Sequence, residues 1–204
     1  LTGDLYIQGN NSGSAVNSVI AKSTGAVELY HNNVKTFETV ATGIQVQGTE
    51  GGHGEIYLYA DEGDDNADKY LLQSGTDNAF YIKNYTSGSW EVNLKTTGNG
   101  NVELYYDNSK KLSTAASGIK VERTDATQSY ITMATSDGDC GFLFANSNTD
   151  IQLMDREGHP FLKGIKDGSV ELYYDNAKKA ETVTGGFTVT GTCTATAFAG
   201  DGSA

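Results

Sequence analysis

The chain has 204 residues, of which 25 are glycine and one is proline, and hydrophobic residues make up 37% of it. This apolar fraction is below that of ordinary globular chains, so one large buried core is not expected. The formal net charge of −12 disfavours nucleic acid, whose phosphates require a basic surface. No apolar run approaches the length of a membrane span, so membrane insertion is not expected either.

The first 24 residues predict two short strands, at 4–8 (DLYIQ) and 18–21 (SVIA), separated by an Asn/Ser/Gly turn. Throughout the chain, Thr, Val and Tyr favour strands, while Gly and Asn favour the turns between them. No stretch keeps the 3.6-residue apolar period of a helix. The sequence therefore predicts an all-β fold of short meandering strands and hairpins.

A 25-residue unit then occurs three times without a gap, at 25–49, 100–124 and 168–192. The copies begin GAVELYHNN, GNVELYYDN and GSVELYYDN, and 11 of their columns are identical. Self-similarity at a fixed spacing is the signature of a repeat architecture, in which each unit needs its neighbours to complete a core.

Each copy predicts a hairpin and a third strand. Alternation in Val-Glu-Leu-Tyr places Val and Leu on one face and Glu and Tyr on the other. A polar turn follows, in which Asn tolerates the left-handed backbone of tight hairpins. The return strand starts at an invariant lysine: Lys35, Lys110 or Lys178. It carries a core-facing candidate of declining size: Phe37, Leu112 or Ala180.

The Val/Leu face and the third strand supply the side chains that we predict to form the core of the repeat or of an oligomer. They are Val27, Leu29, Ile44, Val46, Val102, Leu104, Ile119, Val121, Val170, Leu172, Phe187 and Val189. One repeat is too thin to be stable alone, and its exposed edges invite pairing with other chains. We expect a homotrimer, because three copies around an axis would remove the edges and bury this face.

The segments between the copies, 50–99 and 125–167, resemble each other more weakly, and the copies start 75 and then 68 residues apart. We predict a truncated first repeat at 1–49, a second at 50–124 and a third at 125–192. Residues 193–204 are predicted to link to a following segment. Both chain ends read as internal sequence, so a piece of a longer fibre is expected.

The motif VELYYDN, followed by a Lys-Lys return strand and GIxVxGT, resembles the repeats of tail fibre and related virion proteins of marine bacteriophages, particularly those that infect cyanobacteria. The segments GDLYIQGN (3–10), VELYYDNSKKL (102–112) and GTCTATAFAGDGSA (191–204) are similar to that group, and the likeness covers most of the chain. The resemblance implies an elongated, trimeric, β-rich fibre on a virion, intertwined or side by side, used for attachment to the host surface. His31 in the first turn and Ala180 in the third return strand depart from the pattern.

Three aromatic residues are the best candidates for receptor contact. Trp90, with Tyr81 and Tyr85 nearby, could stack on sugars if exposed. The alternative is that these rings pack in a core or an interface, as large aromatic side chains commonly do.

The densest charge cluster is the run 61–68 (DEGDDNAD), whose carboxylates in a flexible loop are ligands of the type that calcium prefers. Its spacing matches neither the helix–loop–helix calcium pattern nor the Gly-rich nonapeptide calcium repeat. A solvated hairpin tip is the preferred interpretation, as it is for Asp137-Gly138-Asp139 in the next unit. No metal or other cofactor is predicted.

No catalytic residue is predicted, and we expect a protein that is not an enzyme. Asp155 and Glu157 could share a strand face as the paired carboxylates of a glycosidase, but neighbouring acids on a solvated turn are commoner. The three histidines, His31, His53 and His159, form no metal-spacing motif. No nucleophile motif and no phosphate-binding Gly loop is present.

We therefore predict a structural and adhesive fibre segment of a phage virion that presents the receptor-binding region to the bacterial surface. The expected partners are further copies of the chain, other virion tail proteins, and a host surface glycan or protein. Cys140 and Cys193 are expected to be free thiols in a chain made in the reducing host cytoplasm and acting outside the cell. Two alternatives stay open: a tailspike-type polysaccharide depolymerase and a bacterial calcium-dependent surface adhesin.

Overall fold

The computed structural model describes residues 3–123, 127–197 and 199, and these residues have an all-β fold. The strands form three antiparallel sheets of five, seven and seven strands. Within each sheet, every strand pairs with the next strand along the chain, so each sheet is a simple meander. The predicted fold class is confirmed at this level, while the fibre form and the trimer stay predictions.

The strands follow each other in chain order through the three sheets. Sheet 1 contains β1 Leu5–Asn11, β2 Ser14–Ala21, β3 Val27–His31, β4 Val34–Val40 and β5 Gly43–Val46. Sheet 2 contains β6 Gly54–Tyr59, β7 Lys69–Ser74, β8 Ala79–Asn84, β9 Glu91–Thr97, β10 Val102–Tyr106, β11 Ser109–Ala115 and β12 Gly118–Val121. Sheet 3 contains β13 Gln128–Thr135, β14 Gly138–Asn146, β15 Asp150–Asp155, β16 Pro160–Ile165, β17 Val170–Tyr174, β18 Ala177–Val183 and β19 Gly186–Val189.

By contacts, the chain separates into two compact units. Residues 1–120 hold sheet 1 and all of sheet 2 except the last residue of β12, and residues 121–204 hold sheet 3. Each sheet lies inside one of the predicted repeats. The predicted boundary at 124/125 and part of the predicted 193–204 linker lie outside the described residues, so the repeat boundaries stay predictions.

The hairpin turn of each repeat is two residues long: Asn32–Asn33, Asp107–Asn108 and Asp175–Asn176. Both turn residues have positive φ in every copy, for example 50° and 53° at Asp107 and Asn108. This is the backbone of a type I′ turn, whose twist matches that of the flanking strands. The return strands begin at Val34, Ser109 and Ala177, one residue before the predicted lysines.

The acidic run between β6 and β7 is more structured than a plain hairpin tip. It forms two short 3₁₀ helices, Asp61–Gly63 and Asn66–Asp68. They contain no 3.6-residue apolar pattern, which is why the sequence gives no signal for them. None of the helices in the described residues has the length and hydropathy that a membrane-spanning helix needs.

Strand register places one row of apolar side chains across each sheet, and these rows lie on the Val/Leu face. In sheet 1 the apolar row is Ile7, Val19, Leu29, Phe37 and Val46. In sheet 2 it is Ile56, Leu72, Ile82, Leu94, Leu104 and Leu112. In sheet 3 it is Ile131, Leu143, Leu153, Leu162, Leu172, Ala180 and Val189.

The neighbouring positions form a polar row on the opposite face of each sheet. In sheet 2 it is Glu55, Gln73, Tyr81, Lys95, Glu103 and Ser113. In sheet 3 the corresponding row runs through Gln152, Lys163, Glu171, Glu181 and Thr188. In sheet 1 the same row also contains Ile20, and in sheet 3 it continues into Phe144 and Tyr130, so the predicted separation of apolar side chains from Glu is clearest in sheet 2.

The predicted core residues do not form a core within one chain. None of the twelve is buried; ten are exposed, and only Val46 and Val121 are half-buried. The physical reason is that each sheet is a single layer. Sheets 1 and 2 share one unit but meet through their edge strands β5 and β6, so no second layer covers this face within a unit. Whether these residues form a core between chains stays a prediction.

Candidate functional site

The polar face of each repeat carries a cluster of one glutamate, one tyrosine and one lysine. In the second repeat, the Tyr105 hydroxyl donates to Glu103 at 2.7 Å, and Lys110 Nζ donates to the same carboxylate at 2.9 Å. Although charged, Glu103 is only 8% exposed. Asn101 Nδ2 adds a third donor at 2.8 Å.

The same Glu–Tyr–Lys cluster recurs in the other two repeats. Tyr30 donates to Glu28 at 2.7 Å, and Lys35 Nζ lies 3.4 Å from that carboxylate. In the third repeat, the Tyr173 hydroxyl and Lys178 Nζ both donate to Glu171, at 2.6 and 3.1 Å. Recurrence at equivalent positions indicates a structural role that every repeat needs.

These contacts keep the three glutamates ionised. Hydrogen bonds from Tyr30 and Tyr173 are the main reason that the pKa values of Glu28 and Glu171 lie below their ordinary value. Burial alone would raise the pKa of Glu103, but hydrogen bonds from Lys110, Tyr105 and Asn101 outweigh it and lower the pKa. A donor-rich environment of this kind favours the charged form of a carboxylate.

Two further side-chain contacts involve residues of invariant columns of the repeat. A threonine hydroxyl on the return strand accepts the backbone N–H of the valine that opens the hairpin, as Thr114 does for Val102 at 2.9 Å; Thr39 and Thr182 do the same. The turn asparagine reaches the preceding strand: Asn33 Oδ1 accepts from Asn17 N at 2.7 Å, and Asn108 Oδ1 accepts from Val92 N at 3.0 Å.

The third copy has no such asparagine contact in the described residues, for a simple chemical reason. Val92 lies two residues before Leu94, which pairs with Leu104 of the hairpin. Pro160 lies two residues before Leu162, which pairs with Leu172 of the hairpin, so Pro160 occupies in β16 the position of Val92 in β9. Proline has no backbone N–H to donate. Asn176 therefore has no donor at this position.

Trp90 and Tyr85 are brought together by the structure, but Tyr81 is not part of their group. The ring centroids of Trp90 and Tyr85 are 5.1 Å apart. Tyr81 instead donates its hydroxyl to Asp77, and Lys83 Nζ lies 4.7 Å from its ring centroid. The hydrogen bond to Asp77 raises the pKa of Tyr81 to about 12.

Two tyrosines that the sequence analysis did not single out complete the aromatic group. Tyr57 lies 5.9 Å from Trp90 and 6.1 Å from Tyr59, between ring centroids. We call Tyr57, Tyr59, Tyr85 and Trp90 the aromatic platform. Alternation after Glu55 puts Tyr57 and Tyr59 on the polar face, which was a usable signal. Their proximity to Trp90 depends on the register across β7 and β8.

The acidic run lies beside the aromatic platform. A Cβ added to Gly63 would come within 2.8 Å of the Tyr59 ring, and one added to Gly88 would lie 3.4 Å from Asn66 Nδ2. The carboxylates of Asp64, Asp65 and Asp68 lie within 4.8 Å of one another. Exposed acidic groups of this kind are common without a metal, so the cluster by itself assigns no calcium site.

The candidate carboxylate pair of a glycosidase is engaged within its own turn. Asp155 accepts from the backbone N–H of His159 at 2.7 Å, and its second oxygen lies 3.1 Å from His159 Nδ1. Glu157 pairs with Arg156 at 2.7 Å. The hydrogen bond from the His159 backbone lowers the pKa of Asp155, whereas a general acid requires a raised pKa.

The other two histidines and the cysteines form no combined site in the described residues. His53 Nδ1 accepts from the backbone N–H of Thr76 at 3.2 Å, and His31 lies beside its neighbour Asn32. Cys140 and Cys193 are free, exposed thiols.

The apolar rows and the side chains beside them leave many large hydrophobic residues exposed to solvent. Leu104 is 42% exposed and Ile119 is 73% exposed. A cavity of about 650 Å³ lies where sheet 1 meets β6, lined in part by Phe37, Ile44, Val46 and Ile56. An apolar sheet face normally packs against another layer, so these positions form a candidate interaction surface.

Comparison of the chain with protein-family models, with curated proteins and with solved structures found no match. The resemblance to phage tail fibres thus stays a prediction from the repeat motif.

Proposed function

We propose that the chain is a structural and adhesive fibre segment of a phage virion, which associates as a homotrimer through its apolar rows. The observation that carries the proposal is the apolar row across every sheet, whose members are exposed or half-buried apart from Ala180, while glutamates of the opposite polar row are buried. Such a face is unfavourable in water and stable when covered.

The amount of exposed surface supports self-association. The accessible area of the chain is 14237 Å². Two separate globular bodies with the sizes of the two units would expose about 11,000 Å² in total, so the excess is about 3,000 Å². A specific protein interface needs about 800 Å² from each partner. The excess is large enough for each chain to contact two neighbours.

Other copies of the same chain are the occupants best matched to this surface. The apolar rows recur in all three sheets, so a second copy would present rows of the same residue types and the same spacing. Three copies arranged around an axis would each turn the apolar rows inward and the polar rows outward. The net charge of −12 would then lie on the solvent side, where it favours solubility.

The attachment role rests on the resemblance of the VELYYDN repeat to marine phage tail fibres. In this role the segment spaces and presents a receptor-binding region, with other virion tail proteins and a host surface glycan or protein as partners. Among the residues that the structure describes, no constellation with the geometry of a catalytic site supports the depolymerase alternative. The chain would act on the virion, outside the cell.

The mass of the purified segment in solution tests the assembly. Sedimentation equilibrium should give three times the chain mass, and electron micrographs should show a slender particle. A monomer mass at micromolar concentration would overturn the proposed function. Incubation with host surface glycan should leave the glycan chain length unchanged, and shortening of the glycan would favour the depolymerase alternative instead.

A further inference from the structure

We propose that the aromatic platform, Tyr57, Tyr59, Tyr85 and Trp90, binds a glycan that carries no acidic groups. The inference deepens the proposed function by naming a ligand class. It rests on that function in one respect, namely that the assembly leaves the polar face open. The four rings lie at one end of sheet 2 on the polar face, away from the apolar row.

Packing partly explains the platform, in which Trp90 and Tyr85 are half-buried, but it does not account for the exposure of Tyr57 and Tyr59. Tyr57 lies opposite Leu71, which is 2% exposed and is the most buried hydrophobic side chain of the described residues. Covering Leu71 gives Tyr57 a structural role. Tyr57 and Tyr59 nevertheless keep half of their surface in water, at 50% and 52% exposure.

Sheet 3 shows that the repeat folds without this platform. The position of Tyr57 in β6 corresponds to Thr132 in β13, because each follows the first residue of its apolar row. Trp90 lies two residues before Val92. The equivalent residue in sheet 3, two residues before Pro160, is Gly158. The Glu–Tyr–Lys clusters occur in every repeat, whereas the platform occurs once. A group that the fold does not require is a candidate for a binding role.

The chemistry of the platform and its rim suits a sugar. Aromatic faces pack against the C–H faces of pyranose rings, and carboxylates accept hydrogen bonds from sugar hydroxyls. The run 61–68 supplies five carboxylates beside Tyr59: Asp61, Glu62, Asp64, Asp65 and Asp68. None of the five forms an ion pair in the structure. Their accepting capacity is therefore available to a ligand.

Charge decides which glycans fit. The only basic side chain within 57–70 is Lys69, whose Nζ lies 5.7 Å from the Tyr85 ring centroid. Five carboxylates against one ammonium make this rim negative. Like charges at close range are unfavourable, so uronic acids, sialic acids and phosphorylated sugars are rejected. Neutral hexoses and amino sugars are compatible with the rim.

The chain offers a direct probe of this site, because Trp90 is the only tryptophan in the sequence. Its fluorescence should change saturably on titration with at least one of four oligosaccharides: oligomers of glucose, galactose, mannose or glucosamine. Galacturonic acid oligomers of the same length should cause no change. Absence of a saturable change with all four, or preferential binding of galacturonate, would overturn the proposal.

A matched pair of variants separates binding from packing. Tyr57→Leu keeps an apolar cover over Leu71 and removes one aromatic face together with the hydroxyl that donates to Glu55 at 2.7 Å. The melting temperature should therefore fall only slightly, while the affinity falls about tenfold. Tyr130→Leu alters an aromatic cluster in sheet 3 and should leave affinity unchanged. Equal binding by wild type and Tyr57→Leu would contradict a role for the platform.

Measuring the mass of the same samples distinguishes the two proposals. A trimer that binds none of the neutral or amino oligosaccharides overturns the glycan site and leaves the structural function standing. A monomer that shows saturable binding overturns the trimeric assembly and leaves the glycan site standing.

Discussion

Two neighbouring residues of β10 show how differently the two faces of the sheets are covered. Glu103 is 8% exposed, whereas Leu104, the next residue, is 42% exposed. In most proteins this order is reversed, since charged side chains are seldom buried. In each repeat hairpin the glutamate of the polar face is covered within one chain, and the leucine of the apolar face is left exposed.

Side-chain length accounts for this reversal. Lysine and tyrosine lay long apolar stems or rings across a sheet while their polar ends reach a carboxylate, and in this way Lys110 and Tyr105 cover Glu103. A leucine is too short to cover its neighbours, so a leucine row needs another layer. Buried side chains in the single chain thus mark the polar network, and exposed leucines mark the proposed surface of assembly.

The largest expected effect comes from placing a charge in the apolar row. Leu104→Asp should abolish trimer formation, because a covered and unpaired carboxylate costs several kcal/mol and the change occurs once in each chain. Light scattering on the purified variant should give a monomer or an aggregate. A soluble trimer with an unchanged melting temperature would show that Leu104 faces solvent in the assembly.

Adjacent residues of β5 provide the control for face. Ile44 belongs to the apolar side, and Gln45 lies opposite Glu38 on the polar side. Ile44→Lys should weaken assembly, while Gln45→Lys adds the same charge beside an acidic residue and should leave the mass unchanged. Equal effects of the two variants would contradict the assignment of the faces.

A smaller loss of stability is expected on the polar face. Glu103→Ala removes the acceptor shared by Tyr105, Lys110 and Asn101, and it should lower stability by about 1 kcal/mol, because the lysine end of the cluster is screened by solvent. The melting temperature at fixed protein concentration measures the loss. The trimer should persist, which distinguishes this change from Leu104→Asp.

Asn101→Ser is a milder control for the same cluster, since the third repeat has Ser169 at this position. Ser169 Oγ donates to Glu171 over a longer distance, 3.5 Å, so the change weakens one donor contact and keeps the acceptor, and its melting temperature should lie between those of wild type and Glu103→Ala. A larger effect than that of Glu103→Ala would place the stabilisation on Asn101 and not on the carboxylate.

Acid should loosen the polar face before it affects the apolar face. The folded pKa values of Glu28, Glu103 and Glu171 lie below the ordinary 4.5. Their stabilisation is therefore complete above about pH 4.5 and is lost as the pH falls through the lowered pKa values. In a series of melting temperatures measured from pH 7 to pH 3, the fall should therefore occur below about pH 4.5. Glu103→Gln, which stays neutral, should show a shallower fall, and an equal slope would exclude Glu103 as a contributor.

The strands and the separation of the faces could be predicted from the sequence, because both depend on local alternation. Val-Glu-Leu-Tyr puts Glu and Leu on opposite faces whatever the neighbouring strand is. The type I′ turns could be predicted for the same reason, since Asn33, Asn108 and Asn176 tolerate positive φ. Which face is shielded in the single chain depends on how far side chains reach across neighbouring strands. This reach cannot be predicted from the alternation within one strand.

The aromatic platform shows the same limit. Tyr81 and Tyr85 are four residues apart, which is about 13 Å along an extended strand. Tyr85 lies just beyond the end of β8, beside Trp90, while Tyr81 lies opposite Lys95 within the sheet. Proximity in sequence therefore grouped both Tyr81 and Tyr85 with Trp90, whereas the structure brings Tyr85 into ring contact with it. Tyr57 joins the group through pairing across β7, which requires knowledge of register.

The smallest predicted effect concerns the turn asparagines. Glycine is favoured in a type I′ turn, so Asn176→Gly should leave stability unchanged or raise it slightly. Asn108→Gly also removes the acceptor of the Val92 N–H, at 3.0 Å, and should lower stability by about 1 kcal/mol. Melting temperatures of the two variants at one protein concentration make the comparison.

The single proline offers a way to reverse this difference. Pro160→Val restores a backbone N–H at the position where Val92 donates to Asn108, and Asn176 should then accept a hydrogen bond as Asn108 does. In that background Asn176→Gly should become destabilising, with a coupling energy of about 1 kcal/mol in a double-mutant cycle. A coupling near zero would show that the asparagines serve the turn alone. The contact between hairpin and preceding strand would then have no part in the invariance of this column.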